Sequence, residues 1–300
     1  MEQSPNPPDC RAPPLKFRRP LCLHPLSDTV NEIDEETAAE WRSIARKAAE
    51  SGAEIACEYF REGIGNDFKR DQMDPVSKAD QEAQERIIAV LADRDPDAAI
   101  VGEENDAEKT VPESGPAWII DPIDGTNNFV RGNRLWSVSL ARTLDGEPVT
   151  AATALPATGD TYAAGLGAVE RNGVECAVSD RTDPSSLIVA PIFGLKDRDR
   201  DDYDDVTSYI HHELGDLRRL GSGQTSMAMV ACGEIDAAIS TVHMTAWDTV
   251  AGAHMVRAGG GRVTDLAGNR WRHDSDSLIA TSGEIHEDVL AALRGRLDRE

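Results

Sequence analysis

Hydrophobic positions along this chain change their period several times, and each change marks an element. Trp41, Ile44, Ala45, Ala48, Ala49, Ile55 and Ala56 recur at three- and four-residue steps, the spacing of one helical face. They predict a helix from Asp34 to about Phe60, stopped by Gly63 and Gly65. A second helix is expected from about Asp80 to Ala92, with Ile87, Ile88 and Leu91 turned inward. "AAIVGEEN" then reads as a short buried strand ending at Gly102, and "AWIID" as another. "WSVSLARTL" and "VTAATALPATGDTYAAGL" alternate as strands of an antiparallel meander. The first half therefore reads as α+β.

A polar stretch around Ser179 to Ser186 precedes "SLIVAP", which opens a second half. Helices are expected near Asp205 to Leu214 and, after the turn "GSG", from Gln224 to Cys232. "DAAIS" is a strand, Trp247 to Ala258 a helix closed by "GGG", and "RVTD" and "SLIATS" are strands. "HEDVLAALRGRL" is an amphipathic terminal helix. Helix alternating with strand implies an α/β layer. The expected organisation is a disordered N-terminal extension over 1–33, an α+β half over 34–178 and an α/β half over 179–300. The extension is Pro-rich and lacks the continuous apolar core of a secretory signal.

Charge narrows the function. Over 300 residues the formal net charge is −23, and only six of the 31 basic residues are Lys. Such a surface repels nucleic acid and anionic membrane, so a polyanion-binding role is disfavoured. It is like the acidic, Lys-poor surfaces of salt-adapted proteins, in which ionic strength screens self-repulsion. The run "KDRDRDDYDD" from Lys196 to Asp205 reads as a solvated segment. No apolar run reaches the roughly 18 residues of a membrane span. The five cysteines (Cys10, Cys22, Cys57, Cys176 and Cys232) are odd in number and widely spaced. A disulfide framework and structural zinc are both poorly supported, and a reducing cytoplasm fits best.

Four acidic signals carry candidate chemistry. "DPVSKAD" ends in Asp80 as a helix begins, where an N-cap is reason enough for Asp. "GEE" sets Glu103 and Glu104 directly after a strand, a common solvated pair. "WIIDPIDGTNNF" holds Asp121, Asp124 and Thr126, and its Asp-Pro and Asp-Gly steps would serve as plain turn chemistry. "AWDTVAGA" puts Asp248 in the first turn of a helix, where it suits the helix dipole. Each has an adequate structural reason alone. Together Glu103, Asp121, Asp124 and Asp248 all lie at strand ends or helix starts, where carboxylates hold hard cations that retain waters for a phosphate to replace. The donor set favours Mg²⁺ or Mn²⁺ over Zn²⁺.

"DPIDGTNNF", preceded by "GEE" and followed by "WDTVAGA" and "AGGGRVTD", resembles the inositol monophosphatase family. That family belongs to the lithium-sensitive, Mg²⁺-dependent phosphatases that include fructose-1,6-bisphosphatases. The resemblance covers about Asp34 to Leu297. It implies a layered α/β/α/β/α sandwich, a homodimer and two or three Mg²⁺ per site. Carried over residue by residue, it makes Glu103, Asp121, Asp124, Asp248 and the Ile123 carbonyl metal ligands. Gly125 and Thr126 would present N–H groups to the phosphate, alongside Asp124 and Asp248. Thr126 would also hold the attacking water, with Asp80 accepting the threonine proton and Glu103 sharing its activation. The reaction implied is direct hydrolysis of a small phosphate monoester.

The same resemblance is weaker for the substrate. The family's ring-binding glutamate falls at Ser240, and "STVHMTAWD" is one residue longer than the usual form. Arg218, beside Arg219, is a candidate for a second phosphate, although an ordinary surface arginine is the plainer reading. Lys69 also falls near the site in related proteins. Inositol-1-phosphate and fructose-1,6-bisphosphate are the expected substrates. The alternatives are a 3′(2′),5′-bisphosphate nucleotidase and a non-catalytic regulatory protein on the same fold.

Overall fold

A computed structural model of the chain describes residues 33–62, 75–104, 107–193 and 201–297. The expected extension (save Ile33), Cys10, Cys22 and Lys69 lie outside the described residues.

The first helix, α1 (Glu35–Glu62), begins after Asp34, whose Oδ1 accepts the Thr37 N–H at 2.7 Å. Its inward face is alanine: Ala45, Ala48, Ala49 and Ala56 are fully buried, small enough to lie close on a sheet. The next, α2 (Pro75–Arg94), starts five residues before the expected Asp80. Proline suits a first helical turn because its missing N–H has no partner to lose there. Asp80 therefore sits in the second turn and is no N-cap.

Seven strands follow in a meander, interrupted by one short helix. They are β1 (Ala99–Gly102), β2 (Pro116–Asp124), α3 (Thr126–Val130), β3 (Ser137–Leu144), β4 (Glu147–Leu155), β5 (Asp160–Gly165), β6 (Ala168–Arg171) and β7 (Val174–Cys176). They form one sheet in sequence order, antiparallel except that β1 runs parallel to β2. The rest of the chain adds β8 (Ile188–Pro191), α4 (Asp201–Glu213), β9 (Asp216–Leu217), α5 (Gly223–Ala231) and β10 (Ala237–Ser240). It ends with α6 (Ala246–Ala258), β11 (Arg262–Thr264), β12 (Leu278–Thr281) and α7 (His286–Leu297). Its five strands order as β11-β12-β10-β8-β9.

The layers are α/β/α/β/α, as the resemblance implies. Helices α1 and α2 cover the outer face of the seven-stranded sheet, α5 and α6 lie between the sheets, and α4 and α7 cover the far side of the second. One core cluster fills each apolar interface. Ile87, Leu91, Trp118 and Phe129 fill the first, Met227, Val230, Met255 and Val256 the middle, and Val206, Ile210, Ile279 and Leu293 the last. Burying one such side chain contributes about 1.5–3 kcal/mol.

One expectation about cysteine is overturned. Cys176, at the end of β7, and Cys232, just past α5, form a disulfide across 56 positions of sequence. Their spacing carries no motif, and only the packing of α5 under the first sheet brings them together. Among the described residues Cys57 is free and buried. No described helix is long and apolar enough to cross a membrane.

Candidate metal centre

The parallel pairing of β1 with β2 decides where the first carboxylates go. Gly102 pairs with Ile120, so the residues that follow, Glu103 past the end of β1 and Asp121 still within β2, come side by side. A regular strand would then point Asp121 and Asp124 to opposite faces, because side chains alternate. It does not stay regular. Asp121 pairs with Ser139 and Asp124 with Ser137, three residues against two, so a bulge inserts one extra residue. The bulge resets the alternation and turns both aspartates to one side. Pro122, which has no N–H to give, suits that break in the ladder. The strand expected to end at Asp121 thus runs on to Asp124, and the turn comes at Gly125.

The second half supplies the rest. Ser222 Oγ and the Gln224 N–H both donate to Asp124 Oδ2, the latter at 2.7 Å, across 98 and 100 positions of sequence. Asp248, third residue of α6, accepts the Thr245 hydroxyl. Carboxylate oxygens of Asp121, Asp124 and Asp248 all lie within 4.8 Å of one another. Asp121 is 1% exposed, and neither of its carboxylate oxygens has a hydrogen-bond partner among the described residues.

These charges oppose one another. Burial, then the charges of Asp124, Glu103, Asp248 and Asp80, hold the Asp121 carboxyl well above the usual range. Burial raises Asp124 to about 6, although the Ser222 and Gln224 hydrogen bonds pull it down. Burial, with Asp248, Glu104 and Asp124 nearby, pushes Glu103 up to about 7. Burial raises Asp248 as well, against the Thr245 hydrogen bonds. A like-charged group of carboxylates gathered around the buried, unpartnered Asp121 is unfavourable without a cation. Oxygen ligands in this arrangement suit a hard divalent ion.

The inositol monophosphatase family profile matches residues 37–298. The chain belongs to the inositol monophosphatase family. It is 32% identical to Inositol-1-monophosphatase ImpA of Mycolicibacterium smegmatis over 77% of this chain and 81% of that one. It is also 32% identical to a fructose-1,6-bisphosphatase/inositol-1-monophosphatase of Aquifex aeolicus, over 85% of this chain and 96% of that one. The Nus factor SuhB of Pseudomonas aeruginosa is 28% identical, with the same two coverages of 85% and 96%. Among solved structures, the Thermotoga maritima IMPase superposes with a TM-score of 0.71 at 27% identity, covering 85% of this chain and 96% of that one.

Against that family pattern the remaining expected residues divide. Asp80 is buried and close enough for its charge to raise Asp121. Gly125 has φ 86°, and a Cβ there would stand 3.1–3.2 Å from Ser222 Cβ and the Gly221 and Leu135 carbonyls, so glycine is the fitting residue. Thr126 follows it, exposed, with its hydroxyl donating to the Ile123 carbonyl at 3.2 Å. In this arrangement the hydroxyl proton is directed at the Ile123 carbonyl. The Ile123 carbonyl, which accepts that proton, has a second lone pair to offer.

Two expected substrate contacts are engaged within the protein itself. Ser240 is fully buried at the end of β10, and its hydroxyl is committed to the Val242 carbonyl and N–H at 3.0 and 3.4 Å. Arg218 is paired with Asp216 at 2.6 Å and also donates to the Leu217 carbonyl. Its neighbour Arg219 is turned to the Pro191 and Phe193 carbonyls. Conversely, Ser222, Gln224, Thr245 and Asn128 were not anticipated. Asn128 donates to both the Leu135 and Leu220 carbonyls, tying α3 to the loop that leads into Ser222. Only "GSG" before α5, a turn opening a helix, hinted at this support.

Proposed function

We propose that this chain is a divalent-metal-dependent phosphomonoesterase acting on a small sugar or polyol phosphate, with inositol-1-phosphate and fructose-1,6-bisphosphate as the leading substrates. The observation that carries the reading is Asp121: fully buried, unpartnered at both oxygens among the described residues, and grouped with its neighbour Asp124 and with Asp248 from a distant stretch of chain. Evolutionary kinship with phosphatases supports it.

Asp121, Asp124, Asp248, Glu103 and the Ile123 carbonyl would hold Mg²⁺, two or three ions per site, with Mn²⁺ as a substitute. When bound, such ions lower the pKa of water and neutralise charge on the phosphate and leaving oxygen. The chain's own residues do the positioning. The backbone N–H groups of Gly125 and Thr126 face the phosphate oxygens, which only a side chain as small as glycine's lets approach closely. Thr126 Oγ1 turns from the Ile123 carbonyl to hold the attacking water, with Asp80 beneath as proton acceptor. Glu103 shares that proton. Attack is direct, and no covalent phosphoenzyme forms.

The protein is expected to act as a homodimer in the cytoplasm, with a net charge of −23 that disfavours nucleic acid as a direct partner. A regulatory role is the second reading, favoured by kinship with proteins named Nus factor SuhB. Retention of Glu103, Asp121, Asp124 and Asp248 argues for catalysis. The test is kcat/KM for inositol-1-phosphate, fructose-1,6-bisphosphate and 3′-phosphoadenosine 5′-phosphate, with and without Mg²⁺. The expected result is Mg²⁺-dependent release from one of the first two. Release from none would support the regulatory reading, and preference for the third the nucleotidase one.

A further inference from the structure

Glu103 stands on a turn whose backbone is gripped from two sides. On one side the buried Gln84 amide pairs with the Glu104 backbone, donating to its carbonyl at 2.7 Å and accepting its N–H at 3.1 Å. The grip is close: a Cβ on Gly102 would fall 2.6 Å from Gln84 Oε1. On the other side Lys109 Nζ donates to the Gly102 and Glu103 carbonyls, both at 2.8 Å. The Gly102 N–H is taken by the Glu108 carbonyl at 3.1 Å.

Lys109 also reaches the second half of the molecule. Its ammonium lies 5.8 Å from the centre of the Trp247 ring, within cation–π range. Trp247 precedes Asp248, and its carbonyl accepts from the Gln224 side chain, whose backbone N–H holds Asp124. One exposed lysine thus joins the Glu103 turn to the segment that carries Asp248 and braces Asp124.

We propose that Lys109 is a positioning residue that docks the Glu103 turn against the Trp247–Asp248 helix start, so that carboxylates from both halves meet one divalent-ion site. The inference rests on the metal-dependent reading above. It makes a prediction opposite in sign to the plain electrostatic one. A lysine acting only as a nearby positive charge would oppose cation binding, and its removal would tighten Mg²⁺. A lysine that aligns the ligands would, when removed, weaken it.

The experiment is calorimetric titration of Mg²⁺ into metal-free wild type, Lys109→Met and Lys109→Arg, with melting temperature and the Mg²⁺ dependence of turnover measured alongside. Lys109→Met should bind Mg²⁺ about tenfold more weakly, the usual cost of losing a residue that orients metal ligands. Its kcat should return at saturating Mg²⁺, its metal-free melting temperature should not fall, and Lys109→Arg should restore most of the affinity. Equal or tighter Mg²⁺ binding by Lys109→Met would overturn the proposal, as would equal weakening in both variants. A wild type that takes up no Mg²⁺ would sink the phosphatase reading itself, and this inference with it.

Discussion

Two carboxylates packed against the seven-stranded sheet, Asp95 half-buried and Asp121 fully buried, are treated in opposite ways. Asp95, just past α2, is satisfied: its Oδ2 accepts from Arg142 at 2.7 Å and from the Trp118 indole at 2.9 Å. Arg142 is in turn stacked 3.9 Å from the Trp41 ring. Asp121, on that sheet, has no donor at either oxygen among the described residues and four like charges for neighbours. The fold can pair a carboxylate where stability is the end served. Leaving Asp121 unpaired is therefore informative, because buried charges persist only when something compensates them.

Exchanging charge for shape at the two positions should separate them, with the largest effect at Asp121. Asp121→Asn should cut phosphate release about a thousandfold or more, since metal-borne charge stabilisation supplies several kcal/mol. The same change should raise the metal-free melting temperature, because it removes buried repulsion. Asp95→Asn should do the reverse. It leaves Arg142 buried without its counter-charge, which costs roughly 3–5 kcal/mol, while specific activity of the folded fraction stays within about twofold. Chemical denaturation and steady-state assays on both variants check the pair, and an Asp121→Asn protein as unstable as Asp95→Asn would erase the contrast.

A pH series sharpens it further. Carboxyls raised in the folded state, such as Asp124 at about 6 and Glu103 at about 7, contribute stability below their unfolded values near 4. That contribution is lost as pH rises through the folded values. Metal-free protein should therefore lose about 1–2 kcal/mol between pH 6.5 and 8, and Mg²⁺ should cancel the loss. The buried His254, lowered to about 4, works in the other direction. Unfolded chain takes up its proton first, so its destabilising effect belongs between about 6.5 and 4 and leaves the chosen window clear. Thermal melts with and without chelator decide this, and a flat metal-free profile would count against the raised carboxyls.

The smallest effect is expected at Arg218. Its exposed pairing with Asp216 is worth at most about 1 kcal/mol, and Arg218→Ala should leave kcat/KM for every phosphate ester within about twofold. A tenfold loss confined to fructose-1,6-bisphosphate would restore it as a substrate contact.

Much of the fold was legible because its elements are locally encoded. The alanine stripe of α1, the alternation in β3 to β5 and the "GGG" stop after α6 each state their structure within a few residues. The carboxylates were legible too, since strand ends and helix starts announce where Asp121, Asp124 and Asp248 lie. What escaped is non-local. The bulge between Asp121 and Asp124 depends on pairing with Ser137 and Ser139. Ser222 and Gln224 brace a residue about a hundred positions away, and the Cys176–Cys232 link has no spacing signal. At Ser240, alignment through "EIDAAIS" gives a position but not a direction, and the hydroxyl is turned inward to Val242.

Diffraction from crystals soaked in Mn²⁺ tests the central claim most directly, because the anomalous signal locates the ion without reference to activity. The account predicts a peak bounded by the carboxylates of Asp121, Asp124 and Asp248, absent from crystals of Asp121→Asn. Ordered side chains at all three positions with no peak between them would contradict it.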